Sequence, residues 1–454
     1  MRKYFGTDGI RRIANTELTP DLVFRVAKAG AYVLSKHTDH TPTILIGRDT
    51  RISGGLIESA MTAGFLSYGA NVISLGVIPT PGVAYLTRKL NADASVVISA
   101  SHNTFEFNGV KYFSNKGMKI SDELEEEIEA IMDSDKLSDF TAVGEKVGRL
   151  TTNPELIEDY IDFFVKIFGT TFENLNTKDF CVGLDVANGA TYQVVEKIYK
   201  KLGINYKIIN NSPDGININE KCGSTHMKGL QEFVKENKLN LGIAYDGDGD
   251  RCLAVDENGN IIDGDIIMAI ISNSLKQKGK LQKDTLVATV MSNLGMSKFT
   301  ENNNMNYVQT KVGDRYVLEE MLKNGYNFGG EQSGHIIFLD YNPTGDGILT
   351  SLMLIQAMLE NNKKISELSE IIKIYPQVLI NAKVDSEKKY DYDKNEIVKK
   401  EIGELEKEFA NNGRVLIRPS GTEPKVRVMI EGEDLEYITK KAEDLAQTIE
   451  KYLK

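Results

Sequence analysis

The chain has 454 residues, of which 41% are hydrophobic and 26% are charged, and its formal net charge is −11. This composition is typical of a globular protein, and one domain per ~150 residues predicts about three domains, with four in the same range. The acidic balance excludes bulk attraction to nucleic acid or to an anionic membrane, so we expect neither as a partner.

The three cysteines (Cys181, Cys222 and Cys252) lie in different stretches, and no C-x-x-C pair occurs. An odd number of scattered cysteines is typical of a reducing compartment and argues against a disulfide framework or a zinc site. The basic opening "MRKYFGTDGIRR" is not followed by the apolar segment of a signal peptide, and no apolar run approaches the ~18 residues of a membrane span. We therefore predict a cytoplasmic protein.

From the N-terminus, short β-rich runs alternate with segments whose apolar residues recur at helical spacing. Alternation of this kind favours α/β layers with largely parallel strand pairing. The acidic segment 121–134 is predicted to be a helix that Ser121 caps, with its acids on a solvated face. The predicted strands of this first part are 43–49, 71–77 and 94–99, and the predicted helix between them is 54–69.

The same pattern restarts after the polar stretch 135–155 and once more near residue 285. A hairpin is predicted around Asn258-Gly259, where the turn chemistry suits two residues. The predicted strand-containing segments are 180–189, 206–210 and 241–250, followed by 285–290, 306–314 and 325–338.

From about residue 370 the pattern changes to antiparallel strands and a terminal amphipathic helix. The helix is expected to dock on the chain's own sheet through one apolar stripe. The predicted strands are 377–385, 413–421 and 425–432, and the stripe is Leu435, Ile438, Ala442, Leu445, Ile449 and Leu453. We predict α/β domains over 1–150, 151–252 and 253–368, and a smaller α+β domain over 369–454.

The stretch "AYDGDGDR" (244–251) places Asp246, Asp248 and Asp250 between glycines after an apolar run. Three carboxylates that close repel one another, so a divalent cation that takes oxygen ligands is predicted there: Mg²⁺, Mn²⁺ or Ca²⁺. An EF-hand loop is excluded, because its sixth position needs Gly and is Arg251 here. A Gly/Asp turn that holds no metal is the alternative.

The stretch "RPSGTEPKVR" (418–427) lies between two predicted strands. Arg418 supplies a forked cation, Ser420 and Thr422 supply hydroxyls, and Gly421 allows a close approach to backbone N–H groups. This mixture favours a phosphate-binding loop. Pro-Ser-Gly is also ordinary turn chemistry, and that interpretation stays open.

The stretch "GGEQSGH" (329–335) offers Glu331 and Ser333 between glycines, a pattern that fits either the binding of sugar hydroxyls or a simple β-turn. The stretch "SASHN" (99–103) ends a predicted strand in two serines. Strand alternation puts Ser99 and Ser101 on one face and does not choose between them as a nucleophile. No G-x-S-x-G elbow, Walker A loop or G-x-G-x-x-G after a strand occurs, which removes the usual hydrolase, NTPase and dinucleotide interpretations.

Taken together and in this order, the motifs resemble the α-D-phosphohexomutase superfamily, and within it the bacterial phosphoglucosamine mutase family. The resemblance runs nearly from end to end. The amino-sugar assignment depends on the opening motif, on "CGSTH" and on Gln332. The motifs are "FGTDGIR" (5–11), "GRDTR" (47–51), "SASHN" (99–103), "NGVKYF" (108–113), "INEKCGSTH" (218–226), "DGDGDR" (246–251), "TKVGDRYV" (310–317), "GGEQSGH" (329–335) and "RPSGTEPK" (418–425).

The resemblance implies four domains in a heart-shaped arrangement, the first three α/β with mixed sheets and the fourth smaller. It implies that Ser101 carries a phosphoryl group and, with the three aspartates, holds one Mg²⁺. The implied reaction interconverts glucosamine 6-phosphate and glucosamine 1-phosphate through a bisphosphosugar, feeding UDP-N-acetylglucosamine and cell-wall synthesis. The expected partner is a small sugar phosphate, and dimers are common in relatives, so a homodimer is possible.

The resemblance also assigns roles to the other polar residues of the motifs. Arg11 and Arg251 would add electrostatic stabilisation, Lys111 would lie near the reacting hydroxyl, and His102 would position the phosphate or that lysine. Sugar hydroxyls would be bound by Glu331 and Ser333. The phosphate that does not react would be bound by Arg418, Ser420, Gly421 and Thr422.

One residue departs from the family pattern: Thr104 follows Ser-His-Asn, where the family usually has Pro. Loss of that Pro would loosen the loop behind the nucleophile. The alternatives are phosphomannomutase or phosphoglucomutase activity, a metal-dependent phosphatase, and a non-catalytic sugar-phosphate-binding protein. Ser101 and the three aspartates argue against the last, since a binding protein needs neither.

Overall fold

The computed structural model describes residues 3–6, 8–410, 412–420 and 423–454. The chain divides into two compact units, one made of Met1–Met291 and Asn306–Ile371 and the other of Ser292–Met305 and Ile372–Lys454. Within the described ranges, no helix is long and apolar enough to cross a membrane.

The first part of the larger unit is a six-stranded sheet with helices packed on it. Its central strands are runs of β-branched and small residues that are buried on both faces, as parallel α/β strands are. The strands are β1 Ile10–Ile13, β2 Thr43–Arg48, β3 Asn71–Val77, β4 Ala94–Ile98, β5 Phe107–Ser114 and β6 Leu150–Thr152, in the sheet order β1-β5-β4-β2-β3-β6. The helices are α1 Pro20–Ser35, α2 Gly54–Tyr68, α3 Thr80–Lys89 and α4 Asp122–Met132, with 3₁₀ turns at Asp135–Phe140 and Gly144–Lys146.

This sheet is mixed: β1 and β5 are antiparallel to their neighbours, and the other pairs are parallel. The three predicted strands and both predicted helices are confirmed, and Ser121 caps α4 by accepting from the Leu124 N–H at 3.4 Å. The prediction that the acids of α4 lie on a solvated face is wrong for Glu125 and Glu129, which are buried, and Glu129 accepts from the Phe5 N–H at 2.7 Å. The sequence did not indicate β1 or β5. Strand β6 pairs with β3 across the predicted boundary at residue 150.

The second part repeats the strand–helix alternation around a five-stranded sheet. Strand β9 is followed by a turn and then by the antiparallel β10, so the acidic stretch of the sequence becomes a tight connection between two buried strands. The predicted hairpin is confirmed, with Val255 opposite Ile261. The elements are α5 Ile157–Glu173 after a 3₁₀ turn Pro154–Leu156, β7 Cys181–Asp185, α6 Val194–Lys201, β8 Asn205–Ile209, α7 Lys228–Asn237, β9 Leu241–Tyr245, β10 Cys252–Val255 and β11 Ile261–Ile262, in the order β11-β10-β9-β7-β8.

The third part has a smaller mixed sheet in the order β13-β12-β14-β15, whose last pair is antiparallel. One helix that the chain inserts here, α9, belongs to the other compact unit. The elements are α8 Gly264–Gln277, a 3₁₀ turn Gln282–Asp284, β12 Thr285–Thr289, α9 Leu294–Asn302, β13 Asn306–Thr310, α10 Asp314–Asn324, β14 Phe328–Gly330, β15 Ile336–Phe338, α11 Gly347–Asn361 and α12 Ile365–Ser369.

The smaller unit is an antiparallel sheet in the order β16-β18-β17 with two long helices and α9. The buried carboxylate of Glu431 accepts from Arg414 Nε at 2.7 Å and from the Leu294 N–H at 3.2 Å, which attaches the start of α9 to this sheet. The elements are β16 Gln377–Lys383, α13 Glu396–Phe409, β17 Arg414–Pro419, β18 Lys425–Glu431 and α14 Leu435–Leu453.

The predicted apolar stripe of α14 packs in the core of this unit except at its first member. Leu435 is 55% exposed, because it directly follows the capping residue Asp434 and precedes the first turn that faces the sheet. The predicted fold class is confirmed: three α/β parts with mixed sheets precede a smaller α+β part. The domain boundaries stay a prediction.

Asp346 joins two helices of the larger unit through one buried carboxylate. It caps α11 by accepting from the Leu349 N–H at 3.0 Å, and it accepts from the Tyr160 hydroxyl of α5 at 2.9 Å. Burial raises the pKa of Asp346 to about 6, against the opposing effect of these hydrogen bonds. The folded state therefore holds a proton on Asp346 at pH values where the unfolded chain has lost it.

We predict that Asp346→Asn changes how stability depends on pH. The contribution of the Asp346 proton to wild-type stability is fully present below about pH 4 and is lost as the pH rises through about 6, because the folded pKa lies above the unfolded value. Asn cannot ionise but still caps the helix. The variant should therefore gain about 2 kcal/mol relative to wild type between pH 4.5 and pH 7.5. Urea unfolding at both pH values measures this, and an unchanged difference would contradict it.

Candidate active site

Two loops from different parts of the larger unit bring Ser101 against the acidic turn. Ser101 follows β4, and the acidic turn connects β9 to β10. The Ser101 hydroxyl donates to Asp246 Oδ2 at 2.7 Å, and Ser101 is 1% exposed. The close approach needs glycine at position 247, where a Cβ would lie 2.5 Å from the Ser101 carbonyl oxygen. The structure thus places the predicted nucleophile and the predicted metal ligands at one point.

The three aspartates form a buried cluster whose ligand atoms lie within 4.8 Å of one another. Burial, together with the charges of Asp250 and Asp248, raises the pKa of Asp246 well above its ordinary value. Among the described residues, Asp248 Oδ1 and Asp250 Oδ1 have no hydrogen-bond partner although both are buried. Unpaired carboxylate oxygens in a closed turn are the ligands that Mg²⁺ prefers, so the residues present fit such an ion.

Lys111 lies in the middle of β5 and is 2% exposed. Its Nζ donates to Asp248 Oδ2 at 2.8 Å and lies 3.6 Å from Asp250 Oδ2. Burial would lower the pKa of Lys111, but the carboxylates of Asp248, Asp8 and Asp250 raise it above its ordinary value. Lys111 is therefore a fixed positive charge beside the acidic turn.

Four further titratable residues near Lys111 were not predicted from the sequence. Asp8 lies 3.4 Å from Lys111 Nζ and also contacts Lys119, whose Nζ donates to Asp314 at 2.7 Å. Opposite charges therefore alternate from the acidic turn to the start of α10. His335 completes this line, with Nε2 3.5 Å from Asp314 and Nδ1 3.6 Å from Asp250. Asp8, Asp314 and His335 belong to quoted motifs, but only the fold, which brings loops of the first and third parts together, shows that they meet.

Arg11, Arg251 and His102 surround the same point. The Nε atoms of Arg11 and Arg251 are buried and have no hydrogen-bond partner within the described ranges, which leaves cationic donors for an anion. Arg251 Nη1 lies 3.3 Å from His102 Nδ1, and this ring nitrogen lies 3.4 Å from Ser101 Oγ. Burial and the charges of Arg251 and Arg11 lower the pKa of His102 to about 4, so its ring is neutral at pH 7.

The loop that carries Glu331 and Ser333 connects β14 to β15 and is attached close to the acidic turn. The Cys252 N–H, one residue after Arg251, donates to the Gly334 carbonyl at 3.0 Å. Glu331 accepts from the Gly313 N–H at 3.1 Å, and burial raises its pKa. The buried Ser333 hydroxyl has no hydrogen-bond partner in the described part of the chain. Both residues offer polar atoms to a ligand.

Arg418 and Ser420 lie in the smaller unit, at the end of β17. Arg418 Nε is buried without a hydrogen-bond partner among described residues, and Ser420 accepts from the Glu423 N–H at 3.3 Å. The Cα of Arg427 on β18 is the register partner of Arg418, so a second cation stands beside it. Gly421 and Thr422, the other predicted members of this loop, lie outside the described residues.

The two serines of "SASHN" do not share a face, contrary to the sequence prediction. Strand β4 ends at Ile98, so alternation does not reach them, and Ser101 has a positive φ of 51°. The Ser99 hydroxyl donates to Asp49 at 2.6 Å and accepts from the Ser101 N–H at 2.9 Å, whereas the Ser101 hydroxyl faces Asp246. Only Ser101 faces the acidic turn.

Comparison with known protein families gives matches along nearly the whole chain. Each match is to a domain of the phosphoglucomutase/phosphomannomutase family. The matched domains are α/β/α domain I over residues 2–139, α/β/α domain II over 158–259, α/β/α domain III over 263–375 and the C-terminal domain over 379–448.

Individual proteins are similar over their full length. A phosphoglucosamine mutase of Ruminiclostridium cellulolyticum is 54% identical over 99% of both chains. A phosphoglucomutase/phosphomannomutase family protein of Burkholderia thailandensis shares the fold with a TM-score of 0.80 at 19% identity, covering 99% of this chain and 98% of its own.

The N-acetylphosphoglucosamine mutase of Aspergillus fumigatus, solved in complex with GlcNAc-6P and magnesium, shares the fold with a TM-score of 0.70 at 17% identity, covering 100% of this chain and 96% of its own. These matches confirm the resemblance stated from the motifs. The chain therefore belongs to the phosphoglucosamine mutase family of the α-D-phosphohexomutase superfamily and is an isomerase.

Proposed function

We propose that this protein interconverts glucosamine 6-phosphate and glucosamine 1-phosphate by way of phosphorylated Ser101 and a bisphosphosugar intermediate. The observation that carries the proposal is the buried Ser101 hydroxyl, 2.7 Å from one carboxylate of the acidic turn. It lies near Arg11 and Arg251, whose buried Nε atoms have no hydrogen-bond partner among the described residues. The amino sugar is inferred from the relative that is 54% identical and bears that name.

In the first half-reaction the free hydroxyl oxygen of the substrate attacks the phosphorus of phospho-Ser101. The new O–P bond forms as the bond to Ser101 Oγ breaks, and the proton that the substrate hydroxyl loses balances the proton that Ser101 Oγ takes up. The intermediate then returns its other phosphoryl group by the reverse step, which splits one difficult transfer into two matched ones. Mg²⁺ held by Ser101, Asp246, Asp248 and Asp250 would neutralise charge on the transferring group.

The cationic groups of the site stabilise the charge that develops during transfer. Lys111, kept protonated by its carboxylate neighbours, would place a donor near the reacting hydroxyl. The unpaired Nε groups of Arg11 and Arg251 would bind phosphoryl oxygens. His102 is neutral and lies between Ser101 and Arg251, where it would orient the phosphate.

Substrate binding would use the two remaining loops. Glu331 and the unpaired Ser333 hydroxyl would bind sugar hydroxyls. The loop with Arg418, Ser420, Gly421 and Thr422 would bind the phosphate that is not reacting, which retains the intermediate while it reorients and keeps water from taking the phosphoryl group. We propose that the enzyme acts in the cytoplasm, supplies a precursor of UDP-N-acetylglucosamine, and forms a homodimer.

An isomerase assay with three sugars tests the proposed function. With Mg²⁺ and a trace of bisphosphosugar, glucosamine 6-phosphate should be converted at least about 10-fold more efficiently than glucose 6-phosphate or mannose 6-phosphate, since a site that pairs the substituent rejects analogues that lack it. Ser101→Ala should be inactive with all three. Equal or better rates with glucose or mannose phosphate would assign the sister activity, and free phosphate without isomerisation would indicate a phosphatase.

Metal removal tests the acidic turn. Chelation should abolish turnover, and Mg²⁺ should restore it, because unpaired oxygens of Asp248 and Asp250 fit that ion. Asp248→Asn should lower kcat by about 100-fold or more. The matched control is Glu257→Gln, which changes a carboxylate in the following hairpin and should stay within about twofold of wild type. Undiminished activity in chelator would show that no metal is needed.

The phosphate-binding role of the smaller unit predicts a specific defect for Arg418→Ala. Loss of this cation should reduce turnover about 10- to 100-fold and should raise the fraction of bisphosphosugar released, since the fixed phosphate loses a charged donor. The released intermediate can be measured by mass spectrometry. Lys425→Ala is the control, because its ammonium group is paired with Glu423 at 2.7 Å. Unchanged turnover and release in Arg418→Ala would refute this role.

A further inference from the structure

The segment 101–107, which carries Ser101, is a turn whose last residue, Phe107, begins β5. Ser101 itself has a φ of 51°, a left-handed conformation that a non-glycine residue keeps only when its surroundings impose it. The residue after Asn103 is Thr104, not the Pro of the family pattern, so the chain offers no ring to fix this turn. Some other group must hold the backbone behind the nucleophile.

Arg51 is that group. Its side chain is fully buried, and all five N–H groups of its guanidinium donate hydrogen bonds. Nε donates to Asp49 Oδ2 at 2.8 Å, and the other four N–H groups donate to backbone carbonyls of the turn. These carbonyls are those of Ser101 at 3.0 Å, Asn103 at 2.8 Å, Phe107 at 3.0 Å and Thr104.

Two neighbours complete the support of the same turn. Asn219, from the second α/β part, donates its two amide hydrogens to the carbonyls of Ser101 and Asn103, both at 2.8 Å. Asp49, which fixes Arg51, also accepts from the Ser99 hydroxyl, and that hydroxyl accepts from the Ser101 N–H. The carbonyl of Ser101 therefore accepts directly from Arg51 and Asn219. Its N–H is connected to Arg51 indirectly, through Ser99 and Asp49.

We propose that Arg51 is a positioning residue for phosphoryl transfer, which fixes the turn 101–107 so that the Ser101 hydroxyl faces the acidic turn. The inference rests on the proposed function. A guanidinium suits this task because its planar fork reaches four carbonyls at once, whereas a lysine ammonium has three donors on a flexible stem. Arg51 also explains why the turn can have Thr at position 104. The hydrogen bonds of Arg51 restrain the turn from outside, in place of the restraint that a Pro ring would supply within it.

The test compares Arg51→Lys with Arg48→Lys. Both change an arginine of the same β-strand region to lysine, but Arg48 is paired with Glu58 at 2.9 Å and has no hydrogen bond to residues 101–107 within the described ranges. Arg51→Lys should lower kcat about 100-fold while KM stays within about threefold, since a misplaced nucleophile affects the transfer step and not sugar binding. Arg48→Lys should stay within about twofold in both constants.

A second readout is amide hydrogen exchange of residues 101–107 in the unphosphorylated protein without sugar. Exchange should be faster in Arg51→Lys than in wild type and unchanged in Arg48→Lys. A folded Arg51→Lys protein with wild-type kcat and wild-type exchange would overturn the inference. If Arg51→Lys does not fold, the variant Asn219→Asp is used instead. Asp has the size of Asn and tolerates the left-handed backbone of this residue, but its carboxylate cannot donate to the carbonyls of the turn. A kcat about 10-fold below wild type would support the inference, and a wild-type kcat would refute it.

The exchange readout also separates the two proposals. It needs no substrate, so it can be measured even if the wild-type protein isomerises no sugar phosphate. In that case the proposed function would be refuted, but faster exchange in Arg51→Lys would still support the role of Arg51 in holding the turn. A wild-type mutase whose Arg51→Lys variant keeps full kcat would refute only the inference.

Discussion

Three carboxylates confined to one buried turn repel one another, and much of the site can be understood as the means of offsetting that repulsion. Lys111 comes from the first sheet, Arg251 from the turn itself and His335 from the third sheet, and each places a donor or a positive charge beside the cluster. Among the described residues, Asp248 Oδ1 and Asp250 Oδ1 still have no hydrogen-bond partner. The cluster is therefore balanced only in part by the protein, which is the condition under which a cation binds strongly and in a fixed geometry.

The same electrostatic demand explains why three α/β parts contribute to one site. A single loop cannot supply alternating charges at distances near 3 Å in several directions, whereas the ends of strands in different sheets can. The line from Lys111 through Asp8 and Lys119 to Asp314 extends this alternation away from the acidic turn. Buried charges in such a line are costly unless every one is paired, so the positions of these strands and loops are mutually constrained.

The sequence predicted what repeats with a period or depends on local chemistry. The buried strands β2, β3 and β4, the cap at Ser121 and the hairpin after the acidic turn all follow from spacing and side-chain type, and they were found correctly. Strand β5 was not predicted, because the charged Lys111 interrupts its apolar pattern. Burial of Lys111 is stabilised by a carboxylate that only the fold brings near it, that of Asp248.

Residues whose partners are distant in the chain could also not be assigned to the site from the sequence. In the sequence, Arg51 is a charged residue that follows a predicted strand. Only the fold shows that its guanidinium donates to backbone carbonyls of a turn fifty residues later in the chain. For Ser99 and Ser101 the sequence led to a wrong prediction, because a local pattern was applied too far. Alternation was extended past the end of β4 at Ile98, where the backbone had already left the strand conformation.

Helix α9 gives the molecule an unusual covalent connectivity. It lies between β12 and β13 in the chain but belongs to the unit of β16, β17 and β18, so the polypeptide crosses between the units after Met291, after Met305 and after Ile371. One proteolytic cut at any of these crossings leaves both units joined by the other two. A C-terminal fragment that begins at residue 372 would lack the helix whose start the buried Glu431 holds, and so would expose that carboxylate and its apolar surroundings to water.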